Sequence, residues 1–229
     1  MSKVNILHLI EGAKQAEGLT VIIDVFRAFS LECYLYDMGV KEIRPIGSVE
    51  DAFALKNTLS DSVLIGERHG KKCDGFDFGN SPSTVVPDAV KGKTILHTTS
   101  AGTQGIANAV GADEMLTGSL VNAKAIADYI RNSGAEVVSL VCMGLEGLEP
   151  TAEDTLCAEY IKSLVEGKPM DLADGIAECK RTSGAKFFDP ANREVFPEED
   201  FHLSVEADKF DFVLHVEKGP DGRMHTIRK

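Results

Sequence analysis

The sequence has no long apolar run: the longest are short stretches such as Val137 to Met143. A membrane-spanning helix needs about 20 apolar residues, so the expectation is a chain that does not cross a bilayer. The start lacks a basic stretch followed by an apolar segment, so no secretory signal is read and a cytoplasmic location is expected. Positive charge is also in deficit, with 24 Lys and Arg against 36 Asp and Glu and a net charge of −12. Nucleic acids are bound chiefly by neutralising phosphates with Lys and Arg, so nucleic acid is excluded as a partner. A small anion is not excluded, because backbone N–H groups and a few arginines in a cleft override the global field. The five cysteines form no Cys-x-x-Cys pair and the six histidines lack paired spacing. This argues against a disulfide framework and against zinc, and Cys142 and Cys157 sit in apolar settings that suit small core residues.

What is present is an ordinary globular balance, 43% hydrophobic and 26% charged over 229 residues. Short apolar runs alternate with segments of helical period, the pattern of β-α units around a parallel sheet. Strands are expected at Val4–Ile10, Thr20–Asp24, Glu42–Ile46, Val63–Glu67, Thr94–Thr98, Glu114–Thr117 and Val137–Cys142. Helices are expected at Ala28–Met38, Val49–Thr58, Gly102–Val110, Asn122–Asn132, Ala152–Val165 and Leu172–Lys180. Phe187–Phe201, with two prolines and many charges, reads as an irregular surface segment, and Phe210–Glu217 with Arg223–Arg228 reads as a C-terminal hairpin or a flexible end. The expected fold is a three-layer α/β protein with a mostly parallel sheet flanked by helices and a C-terminal β-hairpin. Residues 1–229 are read as a single α/β domain or as two lobes sharing one cleft.

Ligands of open α/β sheets bind beyond the carboxyl ends of the strands. The polar residues there are Asp24 and Arg27, Glu67 and Arg68, Thr98 to Ser100 with Gly102 and Thr103, Ser119 and Asn122, and Glu146, Glu153 and Asp154. Carboxylates, arginines and hydroxyls in that number suit a metal ion and a phosphate-like anion. In ILHTTSAGTQG a strand ends in hydroxyls and a helix begins at once, so its free N–H groups offer an anion site or simply a capped helix. Asp24 suits a hard cation such as Mg²⁺ or a surface pair with Arg27, and Glu153 and Asp154 suit a helix N-terminus without any catalytic role. The long glycine-rich stretch Gly66–Pro82, with Phe76 and Phe78, reads as a functional loop. No cysteine is followed six residues later by arginine, and Asp24-Val25-Phe26 lacks the second aspartate of a twin-aspartate phosphatase. Arg68-His69-Gly70 leaves a histidine-type phosphatase using His69 as an alternative.

The succession IDVFRAFS, GERHGKKCDGFDFGNSPS, TTSAGTQG, TGSLVNA, VCMGLEG and EDTLCAEYI resembles the 2-phosphosulfolactate phosphatase (ComB-like) family, in order from Val21 to Ile161. Three departures stand in these motifs: Phe29-Ser30-Leu31 follow Ala28 where hydroxyl residues are usual, Ala101 stands where asparagine is common, and His69 replaces a usual glycine. The resemblance implies a Mg²⁺-dependent phosphatase acting on the 2-phosphate of a three-carbon sulfonated acid, 2-phosphosulfolactate, to give sulfolactate and phosphate. It implies catalytic roles for Asp24, Arg27 and Arg68, and substrate contacts from Asn80, Ser81, Thr99, Ser100, Gly102, Thr103 and Asn122. Metal ligation would fall to Asp24, Glu67 and Asp154, with Asp24 either ligand or nucleophile. The implied partner is a small anionic phosphorylated substrate, with no membrane, and a homodimer is compatible with the chain. A non-catalytic binding protein for an anionic phosphorylated metabolite is the alternative from another class.

Overall fold

The strand Gly18–Ile23, GLTVII, is buried along almost its whole length, which explains why it reads as a continuous apolar run instead of an alternating one. It is β2 of a computed structural model describing residues 2–168 and 170–229. In chain order the elements are β1 (Lys3–His8), α1 (Leu9–Lys14), β2, α2 (Ala28–Asp37), β3 (Glu42–Pro45), α3 (Val49–Lys56), β4 (Ser62–Arg68), β5 (Lys71–Lys72), α4 (Pro87–Val90) and β6 (Thr94–Thr98). There follow α5 (Gly102–Asn108), β7 (Ala112–Gly118), α6 (Ala123–Ser133), β8 (Val137–Cys142), α7 (Ala152–Val165), α8 (Ala173–Arg181), α9 (Glu198–Ser204), β9 (Leu214–Lys218) and β10 (Met224–Arg228). The helices flank a mostly parallel sheet, as the alternation of patterns predicts. In α6 the buried residues Ala123, Ile126, Ala127 and Ile130 recur at helical spacing, and Gly134 ends the helix with φ 74°.

The sheet order is β1-β8-β2-β7-β9-β10-β3-β6-β4-β5. Within it, β1, β8, β2 and β7 run parallel, and so do β3, β6 and β4. The C-terminal hairpin lies between these two blocks, pairing antiparallel with β7 on one side and β3 on the other. It is a central bridge, not an appendage or a flexible end. Three antiparallel pairings in succession leave the two blocks running in opposite senses. Twist accumulates at about 20–25° per strand pair, and five pairings separate β2 from β6. The carboxyl ends of the two blocks thereby come to one cavity instead of facing opposite ends of the sheet.

Two expectations are corrected. The first strand stops at His8, because Leu9 takes φ 66° and a short helix starts there. The segment Phe187–Phe201 is not a surface loop: Phe187 and Phe201 are each 2% exposed and Asp200 is fully buried. Its aromatic rings hold it in, with Phe187 5.1 Å from Phe26 and 5.6 Å from Phe196 between centroids. All five cysteines are free and buried. Among the described residues no helix is long and apolar enough to cross a membrane.

Candidate active site

Asp24 follows the last residue of β2, and its two carboxylate oxygens are held from two directions. Oδ1 accepts the Ala28 N–H at 3.2 Å and Oδ2 accepts the Gly102 N–H at 3.0 Å. The second bond explains the glycine, since a Cβ at residue 102 would stand 2.9 Å from the Phe29 ring and 3.0 Å from Oδ2. Glu67, from β4, binds the neighbouring turn: Oε1 accepts the Ser100 N–H at 2.6 Å, and Oε2 accepts from the Gly70 N–H at 2.7 Å and the Ser100 hydroxyl at 3.2 Å. The Ser100 and Gly102 N–H groups of the β6–α5 turn are therefore occupied by the protein's own carboxylates.

Asp24 and Glu67 line a cavity of about 250 Å³ together with Glu153, Arg27, Lys186, Asn80, Ser100 and Ser183. Phe26 and Phe196 form apolar wall, and His69 and Glu146 stand at the rim with Nδ1 2.6 Å from Oε1. The His69 side chain is 80% exposed. Burial, reinforced by the charges of Glu67 and Glu153 and opposed by the Ala28 N–H, pushes the Asp24 carboxyl up to about 7. Burial likewise raises Glu153, whose Oε2 accepts a hydrogen bond from Ser183. Burial lowers Lys186, and the Glu153 carboxylate opposes that shift.

Arg27 is 4% exposed, and both terminal nitrogens of its guanidinium donate to protein acceptors. Nη1 donates to Asp200 Oδ2 at 2.7 Å and to the Val195 carbonyl at 2.9 Å, and Nη2 donates to the Gly70 carbonyl at 3.2 Å. The guanidinium also stacks 4.9 Å from the Phe196 ring centroid. Asn80 places Oδ1 3.1 Å from His97 Nε2, and His97 Nδ1 lies 2.8 Å from Glu32 Oε1. Asn80 lines the cavity, and His97 and Glu32 behind it are fully buried.

Of the residues singled out from the sequence, Asp24, Arg27, Glu67, His69, Asn80, Ser100, Glu146 and Glu153 come together at this cavity. Asp154 does not line it. Its oxygens accept the Val25 N–H at 2.8 Å and the Gly144 N–H at 2.7 Å, fastening the exits of β2 and β8. Its neighbour Glu153 faces the cavity, because successive residues on a helix point about 100° apart. Thr99 and Thr103 exchange bonds at the start of α5, and Gly102 is spent on Asp24. Asn122 is fully buried in a capping box with Ser119, and Ser81 lies in an adjoining cavity beyond Arg27 and Asn80. Arg68 also points elsewhere, since successive side chains on a strand alternate between faces. It donates to the Glu67 and Gly47 carbonyls and to Thr98 Oγ1 at 2.8 Å. Arg68→Lys is accordingly expected to lower kcat/KM by less than about tenfold. Steady-state kinetics check this, and a loss of about 10²-fold would bring Arg68 back to the cavity.

The family model described as 2-phosphosulpholactate phosphatase matches residues 4–219. The chain belongs to the 2-phosphosulfolactate phosphatase family. It is 35% identical over 217 residues to a probable 2-phosphosulfolactate phosphatase of Caldanaerobacter subterraneus subsp. tengcongensis, covering 89% of each chain. A Bacillus subtilis protein of the same description is 32% identical over 214 residues, 92% of this chain and 91% of its own. One from Carboxydothermus hydrogenoformans is 39% identical over 174 residues, 75% and 71%. The residues missed in the sequence of this 2-phosphosulfolactate phosphatase family member are Ser183, Lys186 and Phe196. They come from a stretch with no helical or strand period, and only its phenylalanine spacing hinted at burial.

Proposed function

We propose that the protein is a Mg²⁺-dependent phosphatase that hydrolyses the phosphate monoester of a small anionic acid, 2-phosphosulfolactate, to sulfolactate and phosphate. The observation that carries this reading is three carboxylates, Asp24, Glu67 and Glu153, facing one small cavity that also contains Arg27 and Lys186. The relatives named above are described as probable enzymes of that reaction. A volume of about 250 Å³ is small beside the roughly 300–1,000 Å³ of drug-sized sites and suits a three-carbon acid.

The donor set fits Mg²⁺, which is usually held by one or two carboxylates, waters and substrate phosphate instead of a complete protein cage. Among the described residues no three acidic, histidine or cysteine side chains converge closely enough to make such a cage. Asp24 and Glu67 would hold the ion, with Glu153 adding negative charge beside them. The bound ion would supply charge neutralisation at the phosphoryl oxygens. The protein's share is positioning: backbone N–H groups fix Asp24 and Glu67, Phe26 and Phe196 exclude water, and Asn80 and Ser100 present polar groups to the substrate. Asp24 as nucleophile would use the same placement.

Because His69 lines the same cavity, a histidine-centred hydrolysis is the second reading. Phosphate release from 2-phosphosulfolactate, measured with Mg²⁺, with excess chelator and in His69→Ala, separates the two. Loss of activity in chelator and retention of most activity in His69→Ala is the expected result. Full activity in chelator with a dead His69→Ala variant selects the histidine. Substrate binding without turnover under any condition selects a non-catalytic binding protein.

A further inference from the structure

The cavity lining includes one lysine and one arginine, and they differ in what holds them. Arg27 is balanced by buried Asp200 and has donors committed to the Val195 and Gly70 carbonyls. Lys186, half-buried on the turn Ala185–Phe188, has neither a hydrogen bond nor an ion pair from Nζ among the described residues. Its ammonium lies 5.1 Å from the Phe196 ring centroid and 5.7 Å from that of Phe187. Of its acidic neighbours, Glu153 has Oε2 bound to the Ser183 hydroxyl, while Asp24 and Glu67 are fastened to backbone N–H groups.

A partly desolvated ammonium without a partner is costly, and an anion placed beside it removes the cost. We propose that Lys186 binds the substrate's non-transferred tetrahedral anion, its sulfonate, and so sets the specificity of the site. The inference rests on the phosphatase reading above. On that reading Asp24 and Glu67 would hold Mg²⁺, which would neutralise charge on the phosphate, so the remaining anions must be met elsewhere. A planar carboxylate is best recognised by a guanidinium fork, and both terminal nitrogens of Arg27 already donate to protein acceptors, Nη1 to Asp200 and Nη2 to Gly70. An ammonium is a compact point charge with freely rotating donors, which suits three equivalent sulfonate oxygens. The phenylalanine faces around Nζ exclude water from that contact.

The test compares wild type, Lys186→Met and Lys186→Arg on two substrates, 2-phosphosulfolactate and 2-phospholactate, which lacks the sulfonate. The wild-type preference in kcat/KM for the sulfonated substrate is expected to fall roughly 10–100-fold in Lys186→Met. Most of that fall should appear in KM, and Lys186→Arg should recover much of it. An unchanged preference, whether both substrates lose equally or neither does, overturns the assignment. Thermal unfolding of both variants shows whether they fold. Calorimetric titration with 3-sulfolactate and with lactate reads the same contact without turnover. If wild type hydrolyses neither substrate, the phosphatase reading fails, and the titration alone decides the subsite. Binding of 3-sulfolactate that is weakened in Lys186→Met supports it, and equal affinity or no binding overturns it.

Discussion

Asp24→Asn is expected to lower kcat/KM by about three orders of magnitude, some 4 kcal/mol of transition-state stabilisation. The side chain keeps its shape and Oδ1 still accepts from Ala28, so the loss would be one of charge and not of architecture. Asparagine presents an NH₂ group to the Gly102 N–H in place of an acceptor, so a modest loss of stability accompanies the change. Its pH dependence separates the two effects. In the folded chain Asp24 is raised to about 7 from 3.8, so the folded state binds its proton more tightly than the unfolded state does. The stability this contributes is complete below the unfolded value and is lost as pH rises through the folded one. Without metal, wild type should therefore lose Tm between about pH 4 and pH 8, and Asp24→Asn should lose less over the same interval. Mg²⁺ should raise the wild-type Tm most at the alkaline end, where Asp24 is ionised, and the variant's Tm little. Parallel Tm–pH curves for the two proteins would remove Asp24 as the source of the dependence. Unimpaired turnover would remove it from the chemistry.

Strand exits were the legible part of this site. A buried parallel strand reads as an apolar run, and the polar residue that ends it is visible in the letters, as with Asp24 after VII or Ser100 after ILHTT. What one chain of letters withholds is which of two adjacent polar residues faces the ligand. Glu67 and Arg68 differ by one step of strand alternation, and Glu153 and Asp154 by one helical step. In each pair the cavity receives the glutamate, and only the register of the packed element decides it. The hairpin was legible as a local pattern, but its place between β7 and β3 depends on pairings of high sequence separation. The cavity wall from Ser183 to Phe196 was the least legible. Its residues follow no period, and its burial depends on rings that meet only in three dimensions, such as Phe26 with Phe187. Short helices such as α1 and α9 fall below the length at which helical period stands out.

Asp200→Ala is expected to destabilise the protein by about 3–5 kcal/mol, since it leaves Arg27 as a buried and unpaired charge. At roughly 2–4 °C per kcal/mol in a chain of this size, the fall in Tm is on the order of 10 °C. The Ser83 N–H also loses its acceptor, Asp200 Oδ1 at 3.0 Å. Activity should fall with it, because the Arg27–Asp200 pair and the Arg27–Val195 bond fasten the segment that carries Lys186 and Phe196 to the end of β2. A paired replacement tells stability and function apart. Exchanging both partners for apolar residues of similar volume, Arg27→Met with Asp200→Leu, removes the isolated charge, and such exchanges are often neutral or stabilising. The double variant should regain most of the lost Tm. It should not regain turnover, because Arg27 lines the cavity, and its positive charge beside the Gly70 carbonyl and the Phe196 ring is lost in either case. Recovery of both Tm and kcat/KM in the double variant would make the pair purely structural, and recovery of neither would mean that the polar contacts of the segment hold it against the sheet.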